Sequence, residues 1–406
     1  FKIKESEKFY VERINIVGNH ITYEEFIRNQ LIVDEGDPFN KILHNKSINA
    51  LKSKGIFGDV TYKMRDGTNL NQKIIDIEVE ERPTGEISAG AGYGTDGSTF
   101  SFAVSENNFR GKGINLDASL SVSEDKLKGL FAYTHPNFNY SERALTTSIQ
   151  STTTDKLTEF GYKSSINALS LGTSYEQFDN IFFSPTFFVG SEKLETEDSA
   201  SATLKKQEGS YFDSSVQYSF LYDKRNQPFR PTSGYYSKFT QSLPIASDGL
   251  PILNGYEVSS YKEIVDEMVV SLSFYGRAIN SLSDDDVRVS KRLTVPSSRI
   301  RGFESGKIGP KDSGDYVGGN YAAALNASTT VPYLFQTLET IDMKMFLDTA
   351  NVWGVDYSDT VDDSNKIRSS FGIAVDWYTV IGPLSFSLSQ PITKANTDKT
   401  EKFRFQ

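Results

Sequence analysis

The sequence predicts a mainly β protein: a 16-stranded antiparallel transmembrane β-barrel preceded by a small α+β module of order β-α-α-β-β. Three observations predict it. Apolar residues recur at helical spacing only within the first eighty residues, and from Gly85 onward they recur at every second position. The alternating run from Ile114 to Ser123 extends for ten residues, about the length a tilted strand needs to cross hydrocarbon. Aromatic residues make up 13% of the chain, with Phe 28 and Tyr 21 against Trp 2, and tyrosines near strand ends are what interfacial girdles require.

Composition sets the outer bounds. A chain of 406 residues has the length of two or three domains, although large barrels run as one unit well past that size. The net charge of -10 argues against a nucleic-acid partner, whose binding surface is a clustered excess of Lys and Arg. With Cys 0, disulfides, thiolate metal sites and cysteine nucleophiles are excluded together. No apolar run is long enough for a transmembrane helix, and Phe1-Lys2-Ile3-Lys4 has none of the parts of a signal peptide. The chain is therefore expected to begin inside a longer precursor. Mean hydropathy of -0.41 decides nothing, because a transmembrane barrel also points half of each strand toward water.

In chain order, Val11 to Val17 is β-rich and ends at Gly18-Asn19. Thr22-Tyr23-Glu24-Glu25 reads as a capping box, followed by Tyr23, Phe26, Ile27 and Leu31 at helical spacing. A second helix is expected from Asp37-Pro38 or Asn40, burying Ile48 and Leu51 and ending at Gly55. Val60, Tyr62 and Met64, then Ile75, Ile77 and Val79, alternate as two strands.

Arg82-Pro83 closes the helical region, and sixteen strands are expected after it. Ile114, Leu116, Ala118, Leu120 and Val122 alternate with polar residues, as do Phe100, Phe102 and Val104, and Leu384, Phe386 and Leu388. Periodicity alone leaves a soluble β-sandwich open. In Tyr222 to Tyr236, Pro228, Pro231 and Gly234 suit a tight turn and cannot belong to a central strand. From Val287 to Gly319 periodicity is weak, yet Arg288, Lys291, Arg292, Arg299, Arg301 and Lys307 are concentrated there. Loops of such length are usually functional or disordered. Taken alone, Arg301-Gly302-Phe303 reads as an exposed loop; in this setting Arg301 is a candidate plug for a pore.

No catalytic constellation stands out, so no enzyme, metal or cofactor is expected. Gly92 to Gly97 fits G-x-G-x-x-G, but a strand follows it, so no helix N-terminus is aimed at a phosphate. His20, His44 and His135 are scattered, and Asp284-Asp285-Asp286 and Asp362-Asp363 read as solvated loop tips. Gly85, Gly90, Gly92 and Gly94 weaken the first barrel strand, because glycine packs poorly.

Leu51 to Val60 resembles the L-x-x-x-G-x-F-x-x-V signature of a POTRA domain, and Ile14 to Asn19 fits its first strand. The resemblance implies a remnant of a preceding repeat over residues 1–8, a POTRA domain over 9–82 and a transmembrane barrel over 83–406. Asn108-Phe109-Arg110-Gly111-Lys112-Gly113 resembles the N-[FLW]-x-G-x-G turn of the outer-membrane barrel assembly factors. Tyr222-Asp223-Lys224-Arg225-Asn226-Gln227-Pro228-Phe229-Arg230-Pro231-Thr232-Ser233-Gly234 resembles their Y-D-x-R-N-x-P-F-x-P-T-x-G turn. Ile300-Arg301-Gly302-Phe303 resembles the V/I-R-G-F/Y motif of their sixth extracellular loop, and Phe346 to Trp353 their F-x-D-x-G-N-V-W strand, with Ala350 in place of the usual glycine.

The family resemblance implies that the loop folds back into the lumen and that Arg301 pairs with Asp348 on the wall. A second acid common in relatives falls at Ser328, so the pairing is expected to rest on Asp348 alone. It further implies the central subunit of a machinery that folds β-barrel proteins into the outer membrane of a Gram-negative bacterium. Unfolded clients, accessory periplasmic lipoproteins held by POTRA, and outer-membrane lipids are the implied partners. The POTRA sheet has an edge to which a peptide can add, or it is a structural spacer. Clients are expected to pair at a seam between the first strand, with Gly90, Gly92 and Gly94, and the last, with Phe403 and Phe405. Lys402 to Gln406 is too short to span and lacks the family's closing aromatic, so further residues are expected beyond it. A TamA-like assembly factor or a two-partner secretion pore of the same superfamily is the alternative. A simple porin has no use for POTRA or Arg301, and a barrel-borne lipase needs a Ser/His pair that the sequence does not offer.

Overall fold

Alternation along Tyr10–Val17 buries Val11 and Ile14 and leaves the residues between them more exposed, the pattern of a strand covered on one face. It is strand β1 of a computed structural model that describes residues 8–141, 143–331, 340–358, 361, 365–380 and 382–406. The chain forms two compact units, one of residues 1–88, 102–119 and 131–146, the other of 89–101, 120–130 and 147–406. Two expectations touch residues outside those described: the strand remnant, of which 1–7 lie outside, and Asp362-Asp363.

In the first unit β1 is followed by α1 (Glu24–Arg28), α2 (Lys41–Ser53), β2 (Phe57–Asp66) and β3 (Gln72–Glu81). The sheet order is β1-β3-β2, with β1 parallel and β2 antiparallel to β3. Ile14, Ile27, Leu51, Val60, Ile75 and Ile77 form its core. The second helix starts at the later of its two expected positions, because the Asn40 side chain accepts from the Ile42 and Leu43 amides. Asp37 instead joins the free side of β1, where Val11 donates to its carbonyl at 2.9 Å. The Ile14 amide is taken by Glu35 and the Ile14 carbonyl by Arg28. With β1 so occupied, the outer side of β2 is the edge of this sheet that carries no strand.

The capping box at Thr22 and Glu25 does not form. The residue before α1 is Tyr23, and its side chain makes no capping bond. Thr22 is buried, and its hydroxyl accepts from Asn108 at 2.9 Å. Asn108 opens the 108–113 turn, whose Gly111 carbonyl accepts from the Tyr23 amide at 2.8 Å. A tertiary partner has thus outcompeted the local cap. Glu81 takes over the nearby donors, accepting from His20, Ile21 and Thr22 at 3.0, 2.9 and 2.6 Å.

Burial alone raises the Glu81 pKa, but its hydrogen bonds outweigh burial and hold it below the ordinary glutamate value. A depressed carboxylate contributes stability above the unfolded pKa of about 4.3, and that stability is lost as pH falls through the lower folded value. Glu81→Gln is expected to speed amide exchange at residues 20–22 about tenfold at neutral pH and to flatten its acid dependence. Hydrogen exchange on the whole chain in micelles reads both; unchanged protection would refute the assignment.

The barrel strands follow from the period of two. They are β4 (Gly85–Gly94), β5 (Gly97–Phe109), β6 (Ile114–Ser123), β7 (Lys126–His135), β8 (Ala144–Lys156), β9 (Tyr162–Phe178), β10 (Ile181–Thr196), β11 (Gly209–Asp223), β12 (Ser233–Pro244), β13 (Pro251–Val265) and β14 (Met268–Ser281). After a small hairpin, β15 (Lys311–Asp312) and β16 (Asp315–Tyr316), come β17 (Tyr321–Thr330), β18 (Ile341–Trp353), β19 (Arg368–Thr379), β20 (Gly382–Thr393) and β21 (Phe403–Phe405). Apart from that hairpin they form one 16-stranded sheet in sequence order, with β4 and β21 at its two ends. This disposes of the sandwich.

The burial pattern is the reverse of a water-soluble sheet. On β18 Phe346, Asp348, Ala350 and Val352 are buried while Met345 and Leu347 are exposed, and on β20 Ser387 and Ser389 are buried while Leu388 is exposed. Exposed outward positions are apolar, as hydrocarbon demands, while the inward face carries polar groups together with apolar ones that are covered. In the second unit the turns 179–180 and 266–267 at one end of the strands are short, and 197–208 and 282–320 at the other end are long.

Candidate functional site

The segment 282–320 folds onto the inward face of its own barrel wall. It holds little regular structure beyond 3₁₀ turns at Val289–Lys291 and Ser297–Arg299 and the β15-β16 hairpin. Its apolar residues Val287, Leu293, Val295, Ile300, Phe303 and Ile308 cluster with Tyr275 and Ile279 of β14, Ala322 and Ala324 of β17, and Ala350 and Val352 of β18. Alanines on the wall leave room for the loop's larger side chains. Ala350 is accommodated in that cluster.

Arg301 sits at the centre of the contact. Its Nε and an Nη donate to the two Asp348 carboxylate oxygens at 2.7 and 2.8 Å, and its amide donates to the same carboxylate at 3.1 Å. Asp348 is 0% exposed, so the paired, two-pronged geometry stabilises a carboxylate removed from water. The guanidinium lies over the Phe346 ring, 3.4 Å from its centroid, a cation–π contact from the same strand. Asn326 donates to Asp348 at 2.9 Å and to the Arg299 carbonyl at 2.7 Å. The Ser370 hydroxyl donates to the Arg301 carbonyl. Gly302 has φ +94, and a Cβ there would lie 3.1 Å from the Ser370 Cβ and 3.3 Å from the Ser389 Cβ. Both conformation and space select glycine. Ser328, at the second acid position, bonds instead to Ser271.

Five further cations of the segment have carboxylate partners as well. Arg288 meets Glu192 at 3.3 Å and Asp213 at 2.6 Å, and Lys291 meets Asp213 at 2.8 Å. Arg292 binds Asp356, Arg299 lies 3.5 Å from Glu257, and Lys307 meets Glu159 and Glu304 at 2.5 and 3.0 Å. Burial disfavours the Lys307 ammonium, but its two carboxylates prevail and hold its pKa above that of free lysine. The positive charge of the segment is thus neutralised by the wall and loops around it. Between Lys291, Arg292, Leu293 and Pro296 and the strands β10 to β14 a cavity of ≈ 740 Å³ remains.

At the seam, β21 pairs with β20 through Phe386↔Phe405, Ser387↔Arg404 and Leu388↔Phe403. Across to the first hairpin, the Thr95 amide donates to the Phe405 carbonyl at 2.8 Å and the Phe405 amide to the Thr95 hydroxyl at 2.8 Å. These bonds lie at the far end of β4. A Cβ on Gly94 would lie 2.8 Å from the Phe405 carbonyl oxygen, whereas one on Gly92 meets nothing and one on Gly90 meets only the Ser101 hydroxyl at 2.9 Å. Phe403 faces outward, and Phe405 stacks on Phe386 at 5.0 Å.

The turn motif is a self-bonded unit with an outward reach. Arg225 grips Asp223 at 2.9 and 2.6 Å and donates to the Pro228 carbonyl at 3.2 Å. Asn226 accepts from the Thr232 and Ser233 amides. Gly234 has φ +103, and a Cβ would lie 2.1 Å from the Lys224 carbonyl oxygen. Tyr222 is the last residue but one of β11, and Pro228 and Pro231 bracket Phe229-Arg230, whose side chains leave the turn. Arg230 donates to Asp342 of β18 at 2.9 and 2.5 Å, and Phe229 meets Tyr378 of β19 edge-on at 5.1 Å. Since β13, β14 and β17 separate β12 from β18, the turn straps the wall over about 19 Å, four strand spacings.

Sequence reasoning identified Arg301 and Asp348 but missed Asn326, Phe346, Ser370, Asp96 and Arg404. Phe346 stood inside the matched strand pattern, two residues before Asp348 and so on the same face. The others carried no local signal.

The Omp85 superfamily domain matches residues 84–406, and a POTRA domain, described as a surface antigen variable number repeat, matches residues 9–82. Outer membrane protein assembly factor BamA of Neorickettsia risticii (strain Illinois) is 25% identical over 426 residues, which cover 100% of this chain and 55% of that protein. The chain spans about half the length of the first curated relatives it matches. Among solved structures, BamA from Haemophilus ducreyi lacking POTRA domains 1-3 is similar with a TM-score of 0.91 at 23% identity, over 98% of this chain and 84% of that one. CdiB from Acinetobacter baumannii is similar with a TM-score of 0.57 at 11% identity, over 98% and 73%.

Proposed function

The chain belongs to the Omp85 superfamily, and on that premise we propose that it folds and inserts β-barrel proteins into the outer membrane as the central subunit of a barrel assembly machinery. Residues 9–82 are its POTRA domain on the periplasmic side and 83–406 its barrel. The observation that carries this reading is the seam. The sheet ends at β4 and β21, and among the described residues the backbone bonds between them are gathered at Thr95. A β4 edge released from such a closure leaves backbone groups unpaired in hydrocarbon, at several kcal/mol each by the usual estimate. An incoming client strand that pairs with them is strongly favoured, and the folding of the client then drives the cycle without nucleotide.

The docked loop keeps the lumen from serving as an open pore, with Arg301 and Asp348 as its anchor. Extended client segments and accessory periplasmic lipoproteins are received by the POTRA domain, for which the outer side of β2 offers a strand edge, and the exposed apolar residues of the barrel contact outer-membrane lipids. The test is to insert the complete protein into liposomes and time the folding of an unfolded barrel client. Acceleration over bare liposomes is expected. A properly inserted protein that gives no acceleration and a steady ion conductance would replace this reading with a secretion pore.

A further inference from the structure

Arg404 of β21 is 4% exposed, and its side chain faces three separate parts of the second unit. One Nη donates to Asp96, in the turn between β4 and β5, at 2.6 Å. The other donates to the carbonyl of Phe303 in the docked loop at 3.2 Å and lies 2.6 Å from the Glu401 carboxylate. Asp96 also accepts from Ser297 of the loop at 3.2 Å. The backbone repeats the connection, since the Glu401 amide donates to the Gly302 carbonyl at 3.0 Å and the Glu304 amide to the Lys399 carbonyl at 3.1 Å. Loop, last strand and first hairpin therefore meet at one guanidinium.

We propose that Arg404 is a positioning residue that couples docking of the 282–320 loop to closure of the seam. The docked loop presents the Phe303 carbonyl, which orients the guanidinium so that its other Nη reaches Asp96. With the other bonds described across the seam confined to Thr95, this ion pair is a large share of what holds the described ends together. When the loop leaves, Phe303 and Ser297 leave with it, Arg404 and Asp96 lose their orienting partners, and the seam is free to part. Loop release then precedes client pairing. The coupling rests on the seam reading given above and adds its control.

With Cys 0 in the chain, Gly92→Cys and Leu388→Cys place two spin labels on either side of the seam without background. The complete protein is inserted into liposomes without client; the label distance reports the seam, and protease cutting within 282–320 reports the loop. Arg404→Gln is expected to raise both the open-seam population and loop cutting about tenfold, the loss expected for hydrogen bonds to a charged group. Asp348→Asn, which releases the loop at its anchor away from the seam, is expected to raise the open-seam population as well, because coupling is reciprocal. A merely structural role of Arg404 predicts no such response. If Arg404→Gln fails to insert, Asp96→Asn, on an exposed turn, is expected to open the seam in its place. A seam distance unmoved by these single changes overturns the proposal. Because no client is present, failure here is distinct from failure to accelerate client folding.

Discussion

Asp348→Asn is expected to undock the 282–320 loop and to abolish most client folding. The substitution keeps the shape of the side chain and removes its charge. In the native arrangement the carboxylate is fully buried and accepts from the Arg301 Nε, Nη and amide and from Asn326. Asparagine supplies one carbonyl oxygen for these donors and turns an NH₂ group toward Arg301. Removing one member of a buried ion pair destabilises by about 3–5 kcal/mol, because the other is left as an uncompensated charge. Arg301 stacks on Phe346, and that contact remains, so the lower part of the range is expected. A loss of about 3 kcal/mol shifts docking by roughly two orders of magnitude. Limited proteolysis of the inserted protein should show new cuts within 282–320, and a cutting rate equal to that of the parent would contradict the anchoring role. Asp348→Glu is expected to retain part of the docking, since the charge survives at the wrong reach.

A disulfide across the seam is expected to stop client folding reversibly. A Cβ built on Gly94 lies 3.2 Å from the Gln406 Cα and 2.8 Å from the Phe405 carbonyl oxygen, and relieving the second contact shifts the ends slightly apart, toward the Cβ-to-Cβ distance of about 3.5–4.5 Å that a disulfide needs. Gly94→Cys with Gln406→Cys therefore joins the ends where they already meet. The chain's lack of cysteine leaves this pair no competing partner. If clients pair with the β4 edge, the oxidised protein should fold them no faster than bare liposomes, and reduction should restore the parent rate. The bond is covalent, so the effect is a near-complete loss rather than a partial one. A locked protein that folds clients at the parent rate would eliminate the seam from the mechanism and shift attention to the lipid around the barrel.

Much of this fold could be read from local chemistry. The change from helical to alternating period at Arg82-Pro83 located the module and the barrel strands, since a strand between lipid and lumen must turn alternate side chains to each. The failures were of another kind. At Thr22 a capping box was sound by local rules and lost to Asn108, eighty-six positions away. Asn326, Ser370, Asp96 and Arg404 belong to the loop and seam contacts only because the sheet register brings them there. The pairing of Arg301 with Asp348 was expected through family resemblance; spacing between the two residues carries no such information.

By itself the sequence determined which side chains face lipid and which face the lumen, where strands turn, and that one long segment carries an excess of cations. Those are properties of neighbours along the chain, governed by periodicity and by the backbone freedom of glycine and proline. Tertiary structure alone decided that the segment docks inward, that its cations meet carboxylates from distant strands, and that the barrel ends meet at Thr95, Asp96 and Arg404. The reason is that such contacts depend on register between strands and on closing long loops. A single-residue slip reverses every facing side chain without altering the pattern along the chain.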